Sequence, residues 1–391
     1  MTGQSSASER ERRIRLELML AESDIPLARP EIGEREEELV IEVLRSGALS
    51  LGPMLERFER ALAGWLGVED VVAVSSGTAA LHLGVRALGW GPGDEVVTTP
   101  LSFVASANCL LYEGATPVFC DVDPDTLDID PGAARAAIGE RTAGLLPVDI
   151  FGYPADLPAL SSLADERGLG VLEDGCQALG AVHADGVMVG ARGNGCAFAF
   201  YANKQLTTGE GGALVPSSPE VAERVRSERN QGRAADMGRI EHDRLGYNYR
   251  LTDLSAAIGL AQLERVDELL ARRARVAGMY RERLEGIDGL TLPLADRGAE
   301  ARSWFVYVVG LPERADRDGV IAELASRGIA AKEYLPCIHT LPFYRERFGF
   351  EGGEFPVAER FAARSLGLPF FTAMTEQQVD RVAAALTAAL G

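Results

Sequence analysis

Lysine is rare in this sequence, and its two lysines are therefore candidates for chemistry. Of the 39 Lys and Arg residues, only Lys204 and Lys332 are lysines. Arginine can supply a positive charge wherever one is needed, but only lysine can lose its proton near neutral pH and attack a carbonyl carbon. An arginine-biased composition would produce the same scarcity without any function. Lysine usage alone leaves these two explanations open.

The neighbours of Lys204 favour a functional site. The segment Phe198–Gly212 reads FAFYANKQLTTGEGG, so the lysine follows an apolar run and precedes a glycine-rich stretch. Glycines allow a backbone to approach a ligand closely. These glycines have neither the GxGxxG spacing nor the following helix of a dinucleotide-binding turn. The segment therefore predicts a ligand site of another kind.

Two further segments place polar groups next to predicted strands. Ser75–Ala80 reads SSGTAA and opens a predicted helix, where backbone amides at the positive helix end could stabilise a phosphate. An ordinary N-capped helix is the competing explanation. Val171–Gln177 reads VLEDGCQ and puts Asp174 at the carboxyl end of an apolar strand, where α/β sheets bind ligands. A buried carboxylate there needs a cation, and a protonated pyridine nitrogen or an arginine would serve.

The elements that must position these groups follow from hydrophobic periodicity. From about residue 69 to 215, short apolar runs alternate with amphipathic stretches of helical length. Strands are predicted over Val71–Val74, Glu95–Thr99, Pro117–Asp121, Gly144–Val148, Gly170–Glu173, Ala197–Tyr201 and Ala213–Val215. Helices are predicted after Gly77, after Ser102, over Pro131–Glu140 and over Ala155–Arg167. This alternation predicts an α/β domain of doubly wound type with a parallel sheet.

The pattern changes in the C-terminal part of the chain. From Thr252 to about Leu284, apolar residues at helical spacing predict one long amphipathic helix that could link two domains. Beyond it we predict a strand over Trp304–Gly310, a helix over Arg317–Ser326 and a closing helix over Thr375–Leu390 with a Thr375/Gln378 capping box. These elements predict a smaller α+β domain.

Composition excludes several classes of protein. The formal net charge of −19 argues against a general nucleic-acid binder, which needs a basic surface. The five cysteines lack CxxC spacing and the histidines lack metal-ligand spacing, so we expect no disulfide framework and no metal site. Charged residues interrupt the N-terminus where a signal peptide needs an apolar stretch, and no segment is apolar enough to span a membrane. We therefore expect a cytoplasmic protein without membrane contact.

Together the three segments resemble the DegT/DnrJ/EryC1/StrS family of sugar aminotransferases, which have the type I aminotransferase fold and use pyridoxal 5'-phosphate (PLP). The resemblance runs from Pro30–Ser46 to Phe355–Leu368. It implies a mostly parallel seven-stranded sheet in a large PLP-binding domain, over residues 28–262. An N-terminal extension over residues 1–27 would precede this domain, and a smaller C-terminal α+β domain over residues 263–391 would follow it.

The resemblance assigns catalytic roles to two residues and cofactor contacts to others. Lys204 would be the Schiff-base lysine and, once released, the base that moves a proton between substrate and cofactor. Asp174 would keep the pyridine nitrogen protonated, and Gln177 would reach the ring hydroxyl. Phe103 would stack on the ring, although an isolated Phe is more commonly a core residue.

The phosphate of the cofactor would lie at Gly77 and Thr78. Members of the family usually have a serine five residues before the lysine, but this sequence has Ala199 there, which removes one phosphate contact. The resemblance also implies that Asn248 reaches the active site of the neighbouring subunit. It therefore implies a homodimer with shared active sites.

The substrate is less well marked. The family relationship implies a keto sugar, namely a nucleotide-linked 4-keto-6-deoxyhexose, and L-glutamate as amino donor. Lys332 and His339 could meet a diphosphate, with Arg233 and Arg250 as further candidates, although a surface loop with a solvated lysine explains the first pair almost as well.

Three other functions would fit the same family resemblance. A sugar dehydratase of the same family would have histidine at the position of Lys204, so the lysine argues against it. A free cyclitol ketone could replace the nucleotide-sugar as acceptor. The chain could also be a non-catalytic regulator that binds PLP or a sugar nucleotide, which intact Lys204, Asp174 and Gln177 disfavour.

Overall fold

A computed structural model of the chain describes residues 24–234 and 241–391. Residues 1–23, which form most of the expected N-terminal extension, lie outside the described residues. The first described segment is attached to the C-terminal part of the chain, because the Ile25 amide donates to the Gly328 carbonyl at 3.0 Å and Ile25 is buried.

The central sheet is built from short, buried strands. They are β1 (Val72–Val74), β2 (Glu95–Thr98), β3 (Thr116–Phe119), β4 (Thr142–Leu146), β5 (Gly170–Val171), β6 (Glu173–Asp174), β7 (Cys196–Ala199) and β8 (Gly212–Val215). Each predicted strand of this region is present, with its ends within two residues of the prediction except where Leu172 separates β5 from β6. Runs of this length, buried on both faces, are typical of parallel sheets covered by helices.

The strands run in the order β3-β2-β4-β5, and β6-β7-β8-β1 continues the sheet. Two contacts join the halves: the Leu172 amide donates to Leu145, and Val148 forms a parallel bridge with Asp174. All pairs are parallel except those that β8 makes with β1 and β7. Because β5 and β6 are two parts of one strand interrupted at Leu172, the sheet has seven strands, and the predicted fold class, a mostly parallel seven-stranded sheet of the type I aminotransferase fold, is confirmed.

Both faces of the sheet are covered. Val72 and Val74 belong to one buried apolar cluster, whereas Val71 and Ala73 belong to another on the opposite face. This alternation follows from the two-residue period of a strand. The helices that cover the sheet and complete the chain are α1 (Glu34–Ser46), α2 (Pro53–Leu66), α3 (Gly77–Leu88), α4 (Ala105–Tyr112), α5 (Pro131–Ala137), α6 (Leu157–Arg167), α7 (Pro219–Arg229), α8 (Asp253–Leu263), α9 (Val266–Leu284), α10 (Arg317–Ser326), α11 (Pro342–Phe348), α12 (Pro356–Arg364) and α13 (Glu376–Leu390).

The prediction of one continuous helix from Thr252 to Leu284 is wrong, because the structure has two helices there. The helix α8 ends at Leu263, and α9 begins at Val266 after a non-helical Arg265. Arg265 donates to Glu31 and to Glu36, which ties the break to the start of α1. The break allows α8 to pack on the core beneath the sheet while α9 carries its apolar side chains to a second core.

The C-terminal part forms that second core around a small antiparallel sheet of β9 (Tyr307–Gly310) and β10 (Ser365–Leu368). The predicted strand over Trp304–Gly310 begins later than expected, at Tyr307, which pairs with Leu368 at the end of β10; the carbonyls of Trp304 and Phe305 instead accept hydrogen bonds from Arg273. The predicted helix Arg317–Ser326 is confirmed, and so is the closing helix with its capping box.

No helix within residues 24–234 and 241–391 is both long and apolar enough to cross a bilayer.

One buried carboxylate holds the start of α2. The oxygens of Asp253, which is fully buried at the first turn of α8, accept from the amides of Gly52, Met54 and Leu55 at 2.8–3.2 Å. These amides precede the first hydrogen bond within α2 and have no partner in their own helix. The negative charge also lies at the positive end of the helix dipole.

We expect Asp253→Ala to lower the free energy of unfolding by about 2 to 4 kcal/mol, because it leaves buried amides without acceptors. Chemical denaturation of the variant measures this loss. Asp253→Asn is the matched control, because its amide oxygen still accepts, and it should lose clearly less stability than the alanine variant. Equal losses in the two variants would contradict this role.

Candidate active site

A cleft of about 490 Å³, open to solvent, lies at the carboxyl ends of the parallel strands. It brings together seven residues that the sequence singled out, namely Gly77, Thr78, Phe103, Asp174, Gln177, Lys204 and Lys332. The first six come from the large sheet and its loops, and Lys332 comes from the C-terminal part. Ligands of open α/β sheets bind at this edge.

Lys204 lies in the turn that follows β7. Its backbone amide donates to the carbonyl of Tyr201 at 2.9 Å, which fixes the turn. The side chain is partly exposed to the cleft, and its Nζ lies 3.9 Å from the centroid of the Phe305 ring. The aromatic ring therefore covers the amine from the side of the C-terminal part.

The amine of Lys204 is less basic than that of an ordinary lysine. Burial of the amine lowers the pKa of Lys204 to about 8, and the positive charge of Arg273 acts in the same direction. Cys176 and Asp174 act in the opposite direction and raise this pKa. A substantial fraction of the side chain is therefore neutral, and able to attack a carbonyl carbon, near physiological pH.

Asp174 is buried at the end of β6 and lines the cleft. Its Oδ2 accepts from the Ser106 hydroxyl at 2.6 Å, and its Oδ1 accepts from the Cys176 amide at 3.1 Å. Within the part of the chain that the structure describes, no lysine, arginine or histidine forms an ion pair with it. A buried carboxylate without a cation is a site for a positively charged ligand group.

The N-terminus of α3 forms one wall of the cleft. The Ser76 hydroxyl accepts from the Ala79 amide at 3.1 Å, so the amides of Gly77 and Thr78 are at the open end of the helix. A side chain at Gly77 would clash, because its Cβ would lie 2.6 Å from the Cβ of Ala199. Ala199 therefore packs directly against the turn that could bind an anion.

Gln177 and Phe103 complete the predicted cofactor contacts. The Gln177 side-chain oxygen accepts from the Phe151 amide at 3.0 Å, so the amide nitrogen is the group that Gln177 can offer to a ligand. Phe103 is 58% exposed although it is apolar, and it lines the cleft. An aromatic ring held in the open in this way is suited to stacking on a ligand.

Four predicted residues lie elsewhere. Asn248 is exposed and does not line the cleft of its own chain. Arg250 donates to Asn230 at 2.9 Å, and Arg233 lies in the same region outside the cleft. His339 is buried, with its Nε2 3.0 Å from the Glu359 carboxylate, so the structure does not bring it together with Lys332.

Sequence reasoning missed several residues of the cleft. Ser106 was not predicted, although Ser102 and Ser106 are one helical turn apart directly after β2 and their hydroxyls lie 2.8 Å apart. The four-residue spacing of these serines could have predicted that their hydroxyls lie together. Tyr334 also lines the cleft, two residues after the predicted Lys332, and Phe305 lines it from a segment that carried no signal in the sequence.

The model of the DegT/DnrJ/EryC1/StrS aminotransferase family matches residues 30–387. The chain belongs to this family. Its membership confirms the resemblance deduced from the sequence, and it makes the chain a PLP-dependent aminotransferase.

Similar proteins support this assignment. The chain is 38% identical over 372 residues to the spore coat polysaccharide biosynthesis protein SpsC of Bacillus subtilis, covering 92% of this chain and 95% of SpsC. It is 37% identical over 371 residues to the GDP-perosamine synthase of Caulobacter vibrioides, covering 93% and 98%. The structure of DesI in the presence of its TDP-sugar product is similar with a TM-score of 0.86 and 33% identity, covering 94% of this chain and 93% of DesI.

The geometry of the cleft fits PLP. The buried carboxylate of Asp174 suits a protonated pyridine nitrogen, the open amides of Gly77 and Thr78 suit a phosphate, and the weakly basic Lys204 suits an aldehyde. These three groups differ in kind and lie in one cleft. PLP carries a matching partner for each of them.

We expect the reactivity of Lys204 in the cofactor-free protein to follow the neutral amine. Because the pKa of Lys204 is lowered to about 8, its rate of acetylation by acetic anhydride should rise with pH to a midpoint near 8. Mass spectrometry of the digested protein measures this rate, and it measures Lys332 in the same digest as a reference. A midpoint for Lys204 at or above the ordinary lysine value would contradict the described environment.

Proposed function

We propose that this aminotransferase moves an amino group from L-glutamate to a nucleotide-linked 4-keto-6-deoxyhexose. One observation carries the chemistry: a buried carboxylate that lacks a cation shares a cleft with a lysine of lowered pKa. The substrate class is supported by the relatives, since one is a GDP-perosamine synthase and another has a TDP-sugar as its product.

We assign the cofactor contacts as follows. Asp174 would hold the pyridine nitrogen, Gln177 the ring hydroxyl, and Gly77 and Thr78 the phosphate, while Phe103 would stack on the ring. When bound, PLP supplies an aldehyde carbon for amines and a ring that withdraws electrons. Ser106 and the Cys176 amide keep the Asp174 carboxylate oriented towards the cleft.

Lys204 would hold the cofactor covalently and then act as the base at the substrate carbon. A base works best when its pKa is close to the operating pH, and a value of about 8 meets this condition. Phe305 limits the access of water to the Lys204 amine, because its ring lies 3.9 Å from Nζ. Exclusion of water strengthens the electrostatic interactions within the site.

The remaining space would accept the sugar nucleotide. The cleft has a volume of about 490 Å³, which is within the roughly 300–1000 Å³ of pockets that bind drug-sized ligands, and it continues into open solvent. Lys332 lines it opposite the sheet and would meet the diphosphate. Tyr201 and Glu210 also line it and offer hydrogen-bonding groups to sugar hydroxyls.

We propose a homodimer in which Asn248 of each chain reaches the neighbouring active site. Two features support it. Asn248 is exposed on the surface and outside the cleft of its own chain. Apolar side chains on α1 and in the loop after it are also exposed, with Ile41, Leu44, Leu49 and Leu51 between 43% and 55% accessible. Exposed apolar side chains grouped in this way are characteristic of a protein interface.

Amino transfer with purified components tests the proposal. The chain is incubated with PLP, L-glutamate and 4-keto-6-deoxyhexoses linked to GDP or TDP, and mass spectrometry detects the amino sugar. We expect turnover with one of them, and a loss of about a thousandfold or more in Lys204→Arg, which keeps the charge but has no usable amine. Lys332→Arg is the matched control and should keep the turnover number with a raised KM.

Other outcomes of the same experiment are decisive. Turnover only with a free cyclitol ketone would show that the proposed substrate class is wrong, whereas the proposed amino transfer would stand. Tight binding of PLP or sugar nucleotide without turnover of any ketone would favour a regulator. If borohydride reduction with PLP labels no lysine, the assignment of Lys204 is wrong. Light scattering of the same preparation must show a dimer, and a monomer with full activity would refute the shared sites.

The position of Ala199 makes a further prediction about cofactor binding. Ala199→Ser places a hydroxyl next to the Gly77 turn, where it can donate to the phosphate. A hydrogen bond to a charged group contributes about 1.5–3 kcal/mol, so we expect the Kd for PLP to fall about tenfold or more. Absorbance titration of the cofactor-free protein measures Kd. Ala199→Val is the matched control with added volume and no hydroxyl, and an equal effect of both variants would contradict the hydrogen bond.

A further inference from the structure

Arg273 is a buried cation that lacks the usual partner. It lies on α9, and only 3% of its surface is exposed. Its guanidinium donates to the backbone carbonyls of Trp304 and Phe305, both at 2.7 Å, and to the Thr372 hydroxyl at 3.3 Å. No carboxylate among residues 24–234 and 241–391 pairs with it.

A buried positive charge without a carboxylate partner lowers the stability of the folded protein. An arginine keeps its proton even when it is buried, and an ion inside a protein loses its hydration. The burial of Arg273 is not compensated as it is elsewhere in this chain, where the similarly buried Arg229 pairs with Glu59. The hydrogen bonds of Arg273 satisfy its donors but do not neutralise it, so its positive charge acts on its surroundings.

The surroundings of Arg273 include the active-site lysine. Arg273 and Lys204 line the same small cavity, which has room for about one water molecule. The Nη2 of Arg273 lies 3.5 Å from the carbonyl of Asn203, the residue before the lysine. The same Nη2 binds the carbonyl of Phe305, whose ring covers the Lys204 amine.

We propose that Arg273 is a positioning residue for Lys204: it holds Phe305 and the Asn203 turn around the amine, and its unneutralised charge favours the neutral form of that amine. The inference deepens the proposed function and rests on it, because a neutral Lys204 matters only if this amine bonds to PLP. Nothing in the pattern of the sequence distinguishes Arg273 from the neighbouring arginines on the same helix.

The balance of charge around the amine supports this role. Asp174 and Cys176 face Lys204 from the cleft and favour its ammonium form, and burial and Arg273 oppose them. On the other side, Arg29 and Glu31 also line the small cavity, but Arg29 is exposed to solvent, which screens its charge, and Glu31 is paired with Arg265 and Arg272. Arg273 is therefore the side-chain charge that directly offsets Asp174 at the lysine.

Acetylation of Lys204 in the cofactor-free protein tests the proposal without any enzymatic assay. The midpoint of the rate against pH is measured for the wild type, for Arg273→Gln, which keeps donors but loses the charge, and for Arg273→Lys, which keeps the charge. We expect Arg273→Gln to raise the midpoint by roughly half to one pH unit, as expected for one charge removed at short range. Arg273→Lys should leave it close to the wild-type value.

Controls separate the charge from general disruption. Arg275 lies on the same helix and is exposed, so Arg275→Gln should not move the midpoint. Lys332 provides a second profile in every digest. Circular dichroism confirms that each variant is folded, and Arg273→Met, which also removes the charge, replaces the glutamine variant if that variant does not fold.

Two results would overturn the proposal: an unchanged midpoint in a folded Arg273→Gln or Arg273→Met protein, or an equal shift in Arg273→Lys, which would leave only hydrogen bonding. These results are independent of catalysis. If the wild type transfers no amino group to any ketone, the proposed function fails, whereas the titration of Lys204 still decides whether Arg273 sets its basicity.

Discussion

A carboxylate buried without a counter-ion is the constraint on which the rest of this active site depends. Asp174 is buried, so water cannot solvate its carboxylate. The strand that contains it is paired on one side with β7 and on the other with Val148. The Ser106 hydroxyl and the Cys176 amide then fix its oxygens. The sheet thus presents one negative charge at a defined depth, and α3, Lys204 and Phe103 surround the space in front of it.

Sequence patterns predicted this half of the molecule well, for a physical reason. Strands of a covered parallel sheet are short and wholly apolar, so they stand out against amphipathic helices. Asp174 is the last residue of one such strand and Lys204 lies in the turn after the next. The strand prediction therefore also placed both residues at the carboxyl edge of the sheet. The helices Pro53–Leu66 and Pro219–Arg229 were missed, although proline in the first turn is a recognisable start signal and the helix that begins at Pro131 was predicted.

What could not be predicted depends on contacts between distant segments. The break after α8 contains neither proline nor glycine, and it follows from the contacts of Arg265 with Glu31 and Glu36, far away in the chain. His339 was grouped with Lys332 because both belong to a segment that resembles the substrate-binding region of the family, but the side chain of His339 is buried against Glu359. The two residues before β9 likewise have a partner from a distant segment, because the carbonyls of Trp304 and Phe305 accept from Arg273.

The bond between Arg273 and the Phe305 carbonyl has a mechanical consequence. Both residues follow the break at Arg265 in the chain, whereas Lys204 precedes it. Because of this bond, the guanidinium that opposes protonation of the amine and the ring that covers the amine are held together by one backbone carbonyl.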